Sequence, residues 1–174
     1  MNAAPQLWFS RTFNFPYPTE LLPNLLSRLR GTPARLESAC RSVPADVRTL
    51  KRDGKWSAQE HVGHLLDLET LWRTRLDDFF SSSVQQLTPA DLTNRATDEA
   101  NFNAQPIESI LASFRAARTA LLDVSARLDL ASATRTLPHP RLKVPMRAID
   151  HLYFVAEHDD HHLAEIERLL GLHK

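Results

Sequence analysis

Hydrophobic residues recur in four separate stretches of this chain at the three- and four-residue spacing of amphipathic helices. Thr19 is a predicted N-cap for the first stretch, which Gly31-Thr32-Pro33 is expected to interrupt. The four predicted helices cover approximately residues 19–43, 57–80, 106–128 and 145–170. Four long helices, each with one apolar stripe, predict an all-α protein built as a four-helix bundle.

Local signals support the ends of these helices. Ser57-Ala58-Gln59-Glu60 has the pattern of a capping box, and Gly171 is a suitable stop after the last helix. Residues 84–103 form a polar connection in which a short helix is expected near residues 89–92. Connections of this length exceed what a tight helical hairpin needs, so we expect the bundle to contain a long crossover.

The length and composition indicate one folded domain with an attached segment. The chain has 174 residues and is 43% hydrophobic, enough to bury a substantial core. Residues 1–18 combine five aromatic residues with three prolines, which oppose regular helix, so we predict an arm packed on the body. Residues 19–174 are predicted to form the bundle itself.

Charge and cysteine content exclude several functional classes. Twenty-one basic residues balance twenty-one acidic ones, without the basic excess of a nucleic-acid-binding protein. Cys40 is the only cysteine, so neither an internal disulfide nor a Cys-x-x-Cys metal site can form. We find no pattern typical of a signal peptide and no apolar run long enough to cross a membrane. These features favour a cytoplasmic location.

Two histidines, His158 and His162, are four residues apart on the apolar stripe of the last predicted helix. Helical geometry projects both imidazoles from one face, one turn apart. Neutral imidazole is the commonest ligand of divalent transition metals, and two rings at this spacing can hold one ion. Burial without partners would cost about 1–3 kcal/mol for each unsatisfied group. The spacing therefore indicates a metal site.

The pattern leaves the third ligand open. His61 and His64 both border the stripe of the second helix, about 60° apart around its axis. On the last helix, His161 lies beside the pair but off its face, whereas His151 lies two turns earlier on the same stripe. His151 could line a pocket or act as a reserve ligand.

A site with three histidines keeps one coordination position open, which is typical of catalytic rather than structural zinc sites. Water held there can become hydroxide near neutral pH. Nearby carboxylates could orient the imidazoles or act as a general base. The candidates are Asp67, Glu69, Asp159, Asp160 and Glu165.

Two motifs in sequence order resemble a known family, the DinB-like superfamily of four-helix-bundle metalloproteins. They are Trp56-Ser57-x-x-Glu60-His61-x-x-His64-Leu65-x-x-x-Glu69 and His158-x-x-His161-His162-x-x-x-Ile166. The resemblance covers approximately residues 20–170. It implies a bundle with a long crossover, and metal ligands at His64, His158 and His162.

The resemblance also implies a range of functions. Relatives bind zinc or nickel, with iron or manganese as alternatives, and frequently form homodimers. Some are low-molecular-weight-thiol transferases, and others are metal-dependent hydrolases. We therefore expect a metal-dependent enzyme that acts on a small molecule, without nucleic-acid or membrane partners. The alternative is a non-catalytic bundle in which the ion is structural.

Overall fold

The computed structural model describes residues 6–172, so the first five residues of the predicted arm and the last two residues of the chain lie outside it. Four long helices form the body: α1 (Leu22–Arg41), α3 (Ala58–Asp78), α5 (Ile107–Ser125) and α7 (Ala148–Leu169). The connections carry three short helices, α2 (Ala45–Arg48), α4 (Arg95–Glu99) and α6 (Leu130–Thr134), and two strands, β1 (Thr136–Pro138) and β2 (Pro145–Arg147). The prediction of an all-α four-helix bundle is confirmed.

Helices that follow each other in the sequence are not always neighbours in the bundle. Helices α1 and α3 each pack against both α5 and α7, so α1 lies diagonally opposite α3. The connection from α1 to α3 and the connection from α5 to α7 therefore join diagonal helices across the ends of the bundle. The second of these carries α6 and the β1–β2 hairpin, whose strands pair antiparallel with Leu137 opposite Met146.

The predicted break at Gly31-Thr32-Pro33 is wrong, because α1 continues through it. A proline inside a helix leaves the carbonyl four residues earlier without its usual donor. Here that carbonyl belongs to Leu29, and the Arg118 guanidinium donates to it at 3.1 Å. A side chain from α5 thus replaces the hydrogen bond that Pro33 cannot make.

Two boundaries in the connections also differ from the predictions. The short helix after α3 is α4, at Arg95–Glu99, and not near residues 89–92. Helix α7 begins at Ala148, because Pro145 and Met146 belong to β2 and Asp150 accepts a hydrogen bond from the Arg147 backbone N–H at 3.0 Å. The predicted stop at Gly171 holds, since this residue has the positive φ of 70° that favours glycine.

A polar layer divides the buried core into two apolar halves. One half contains the α3 residues Trp72 and Leu76 and the hairpin residue Met146. The other contains Val62 and Leu163. Each long helix contributes one buried residue to the layer between them: Thr32, Glu69, Arg118 and Asp159. No helix within residues 6–172 has the length and apolar character of a membrane span.

Candidate metal centre

Three histidines meet beside this polar layer, where α3 packs against α7. Each of His64, His158 and His162 brings one ring nitrogen to within 4.8 Å of the other two. The Nε2 atoms of His158 and His162 face each other at 3.2 Å. The three residues are 5%, 3% and 6% exposed, respectively. The cluster is therefore a buried set of nitrogen donors drawn from two helices.

The donor set fits a divalent ion. Two nitrogens bound tetrahedrally to zinc at about 2.0–2.1 Å lie about 3.3 Å apart, close to the 3.2 Å between the two Nε2 atoms of α7. The Nδ1 atom of His158 is buried without a hydrogen-bond partner. An ion between the two Nε2 atoms would take up their lone pairs, whereas Nδ1 of His158 points away from this gap and has no partner among the described residues.

A hydrogen-bonded chain fixes the ring of His64. Thr97 of α4 donates its hydroxyl proton to Asp67 at 2.8 Å, so its oxygen is free to accept from His64 Nδ1 at 3.1 Å. This arrangement places the His64 proton on Nδ1 and the lone pair on Nε2. Histidine ligands usually have such a partner on the nitrogen that does not bind metal.

Gly63 allows the segment after α4 to approach α3. A Cβ atom at this position would lie 2.2 Å from the Phe102 ring, which is too close for any real contact. Phe102 itself is almost fully buried. The glycine next to His64 therefore helps to hold the segment that supplies Thr97.

His61 lies on the other side of His162. Its Nδ1 atom is 2.8 Å from Nδ1 of His162, so it contacts the cluster through the nitrogen that faces away from His158. His161 is half-buried, and its ring packs 5.7 Å from that of Trp8. Neither residue joins the group of three mutually close nitrogens.

Burial keeps these imidazoles neutral. It lowers the pKa of His64 to about 4, with the nearby His161 lowering it further and Asp98 opposing the shift. Burial, aided by neighbouring histidines, also lowers the pKa of His158 and of His162 well below the usual value. Neutral rings retain the lone pairs that metal binding requires.

A cavity of about 750 Å³ opens onto the three histidines. Residues 7–10 form one side of it, and the loop between β1 and β2 forms another. Trp8 packs 4.9 Å from the ring of His158, and Trp72 packs 5.5 Å from the same ring. The cavity is large enough for a small-molecule ligand, and its wall includes the aromatic side chains of Trp8, Phe9, Trp56, Trp72 and Phe154.

The other candidate residues have separate environments. His151 is fully buried, and its Nε2 faces the Trp72 carbonyl at 3.0 Å, outside the cluster. Of the five candidate carboxylates, only Asp67 connects to a clustered histidine by hydrogen bonds through Thr97. The other four bind arginines: Glu69 and Asp159 bind Arg118, Asp160 binds Arg28 and Arg35, and Glu165 binds Arg168.

Some residues around the cluster have no recognisable signal in the sequence. Thr97 stands in a polar connection with no helical periodicity, so only the folded chain reveals its contact with His64. Trp56 is the exception, because it stands in the quoted motif and packs 4.7 Å from the His64 ring.

A family comparison agrees with these features. The sequence model of the DinB superfamily matches residues 28–166, which include all three clustered histidines. The chain belongs to the DinB superfamily. The resemblance drawn from the two sequence motifs is thereby confirmed. A comparison with curated proteins finds no match.

One solved structure supports the DinB superfamily fold independently. YfiT from Bacillus subtilis is described as a probable metal-dependent hydrolase with an unusual four-helix bundle topology. It superposes with a TM-score of 0.77 at 20% sequence identity, over 92% of this chain and 94% of YfiT. At this identity, the likeness establishes the fold alone.

Proposed function

We propose that this DinB superfamily protein binds one divalent metal ion through His64, His158 and His162 and hydrolyses a small molecule beside it. The observation that carries the proposal is the convergence of three neutral, buried imidazoles on the wall of an open cavity. Imidazole donors suit zinc and nickel, which are the ions we expect first, ahead of iron or manganese. The description of YfiT as a probable metal-dependent hydrolase supports the same class of reaction.

The chain's own residues have defined parts in this proposal. A divalent ion in an open histidine site polarises a substrate oxygen and makes water a nucleophile near neutral pH. Asp67 and Thr97 orient the His64 ring, while Trp8 and Trp72 provide an apolar wall that limits access of bulk water. In the hydrolysis, water adds across a C–O or C–N bond and gives an acid and an alcohol or amine.

The cavity favours a catalytic ion over a structural one. A structural zinc site is closed by a fourth protein ligand. His151 and Glu165 were the available candidates for this ligand, but His151 faces the Trp72 carbonyl and Glu165 bonds to Arg168. Low-molecular-weight-thiol transfer remains the alternative reaction, since the same open position would accept a thiolate.

Metal content tests the proposal directly. We expect untagged protein to retain about one zinc or nickel ion per chain after dialysis, and His64→Ala, His158→Ala and His162→Ala each to lose most of it. His161→Ala is the matched control, because this residue neighbours His162 but its ring packs on Trp8. Elemental analysis measures occupancy, and circular dichroism checks that each variant is folded.

The outcomes separate the alternatives. Equal metal loss in His161→Ala and the three cluster variants would contradict the ligand assignment. Hydrolysis of a panel of small esters and amides should disappear on chelation and return when one divalent metal is added. Full hydrolytic activity in the metal-free protein would overturn the proposed reaction, and a metal-loaded protein active only with thiols would favour the transferase.

A further inference from the structure

Two arginines line the same cavity as the histidine cluster. Arg75 belongs to α3, and Arg141 belongs to the loop between β1 and β2. Across the described part of the chain, neither guanidinium forms a salt bridge. Arg118, by contrast, lies between two carboxylates. The cavity therefore contains two cationic groups without a salt-bridge partner in this part of the chain. Burial lowers the pKa of Arg75 and the nearby charge of Asp78 opposes this shift, but the Asp78 carboxylate accepts its hydrogen bonds from Thr88.

Arg75 is almost fully buried and short of hydrogen-bond acceptors. Its Nε donates to the Thr88 carbonyl at 2.7 Å, and its Nη1 faces Nε2 of His139 at 3.2 Å. Nδ1 of His139, however, accepts from the backbone N–H groups of Arg141 and Leu142 at 3.2 and 3.1 Å. A neutral ring with its lone pair on Nδ1 carries its proton on Nε2, so it cannot also accept from Arg75.

The charge state of His139 agrees with this arrangement. Burial, together with the nearby cations of Arg75, Arg141 and Lys143, lowers the pKa of His139 to about 3. The ring is therefore neutral at physiological pH and does not add to the positive charge. Among residues 6–172, a carbonyl acceptor is present for only one of the five N–H groups of the Arg75 guanidinium, the one on Nε.

Arg141 has the same deficiency in a half-buried position. Its Nη2 atom is buried and has no hydrogen-bond partner. Its guanidinium carbon lies 5.2 Å from the centroid of the Phe9 ring. An unpaired, desolvated guanidinium is costly, and an anion that accepts its hydrogen bonds would offset that cost.

An aromatic wall joins the arginines to the histidines. Trp72 lies between the two groups: the guanidinium carbon of Arg75 is 5.4 Å from its ring, and the His158 ring is 5.5 Å from it. Trp8 packs 5.0 Å from Phe154 and extends the wall towards the arm. A ligand could thus contact the arginines at one end and the histidines at the other across one aromatic surface.

We infer that this cavity selects a small carboxylate whose apolar or aromatic body lies against Trp8 and Trp72. Arg75 and Arg141 would bind the carboxylate, and the bond to be cleaved would lie at the histidine cluster. A carboxylate matches the paired N–H groups of a guanidinium with its two oxygens in one plane. The placement of the cleaved bond at the histidine cluster rests on the proposed function. Binding of the carboxylate by the two arginines does not, because it needs no metal.

Tryptophan fluorescence can measure this selectivity. The chain has three tryptophans, and all three line the cavity, so their fluorescence reports on its occupant. The probes are hydrocinnamate and its neutral amide, titrated into the full-length protein in both metal-loaded and chelator-treated forms. We expect the acid to bind about ten- to a hundredfold more tightly than the amide in both forms.

Variants of Arg141 provide the decisive comparison. Arg141→Gln should remove most of the preference for the acid, whereas Arg141→Lys should keep part of it. Arg30→Gln, which changes an exposed arginine on α1 outside the cavity, should leave the preference unchanged. If Arg141→Gln does not fold, the inference is still tested by the ratio of the affinities for acid and amide. This ratio is then compared between chelator-treated wild type and Arg141→Lys.

Four results would overturn the inference, and one would overturn only the proposed function. Equal binding of acid and amide, or no binding of either, would exclude the anion subsite. A preference that survives Arg141→Gln would also exclude it. A preference found only in the metal-loaded form would assign the carboxylate to the ion. A protein that binds no metal but keeps an Arg141-dependent preference would refute the hydrolase alone.

Discussion

Two consecutive residues of α7 belong to two buried polar clusters with opposite properties. Asp159 binds Arg118, which donates to Glu69, to Asp159 and to the Leu29 carbonyl, so that every guanidinium N–H has an acceptor. His158, one residue earlier, has a buried Nδ1 without a partner and an Nε2 that faces another imidazole. The two clusters lie at the same level of the bundle.

The comparison shows how a structural polar cluster differs from a site for a ligand. The arginine cluster joins all four long helices, because Thr32 donates to Asp159 at 2.8 Å and Arg118 reaches the α1 carbonyl left free by Pro33. Its groups satisfy one another. The histidine cluster does not, although it is just as buried. Buried polar groups are normally paired, so the unpaired Nδ1 of His158 and the two facing Nε2 atoms set the histidine cluster apart from the arginine cluster.

The largest expected effect tests the arginine cluster. Arg118→Met should destabilise the metal-free protein by about 3–5 kcal/mol, because two carboxylates would stay buried without a cation. Burial, with Asp159 nearby, already raises the pKa of Glu69 to about 7 despite the opposing guanidinium. Urea denaturation with a chelator present measures the loss. His158→Ala should cost much less under the same conditions.

A combined variant gives the control for this prediction. Replacing Glu69 and Asp159 by Leu in the Arg118→Met background should restore much of the lost stability, since no unpaired charge remains. If Arg118→Met and His158→Ala were equally destabilising without metal, the contrast between the two clusters would fail.

His151 lies between the two clusters in its properties, because one of its two buried ring nitrogens has a hydrogen-bond partner and the other has none among the described residues. Burial, reinforced by Arg75, lowers the pKa of His151 from the usual 6.5 to about 3. Between these values the unfolded chain binds more protons than the folded one, so stability falls as the pH falls. Lowering the pH from 7 to 5 should therefore cost about 2 kcal/mol through His151 alone.

His151→Gln isolates this contribution. Glutamine can still donate to the Trp72 carbonyl but does not titrate. The free energy of unfolding of the variant should therefore fall by about 2 kcal/mol less than that of the wild type over the same pH range. Urea denaturation of chelated protein at several pH values between 7 and 5 provides the measurement. If the free energy of unfolding of the two proteins changed with pH in the same way, the pKa of His151 would not differ between the folded and unfolded states.

The outcomes of sequence prediction have physical reasons. The helices of the bundle were predictable, because each needs an apolar stripe with a period that is visible over many residues. The prediction of a break at Gly31-Thr32-Pro33 was wrong because Arg118, which donates to the carbonyl that Pro33 leaves free, is distant in sequence. Strands of three residues are too short to show a period, so the β1–β2 hairpin, and with it the place of His139 and Arg141 in the cavity, was missed.

The sequence pattern predicted only part of the candidate site. Spacing alone indicated His158 and His162, but it could not choose between His61 and His64. In the structure His64, and not His61, joins the group of three mutually close nitrogens, and Thr97 contacts its ring from a connection without periodicity. The arginines of the cavity gave no signal either, because an unpaired guanidinium is recognised only when its surroundings are known.

The smallest expected effect concerns the partner that orients His64. Thr97→Val keeps the shape of the side chain but removes the acceptor for His64 Nδ1 and the donor to Asp67. Loss of such a partner weakens metal binding about tenfold, the lower end of the usual range, because a hydroxyl holds the ring less firmly than a carboxylate does. Competition with a chromophoric chelator measures the affinity. Thr93→Val is the matched control, since the exposed Thr93 hydroxyl donates to Asp91 and has no contact with His64. Unchanged metal affinity in Thr97→Val, with stability alone reduced, would make Thr97 part of the bundle's polar packing and not of the metal centre.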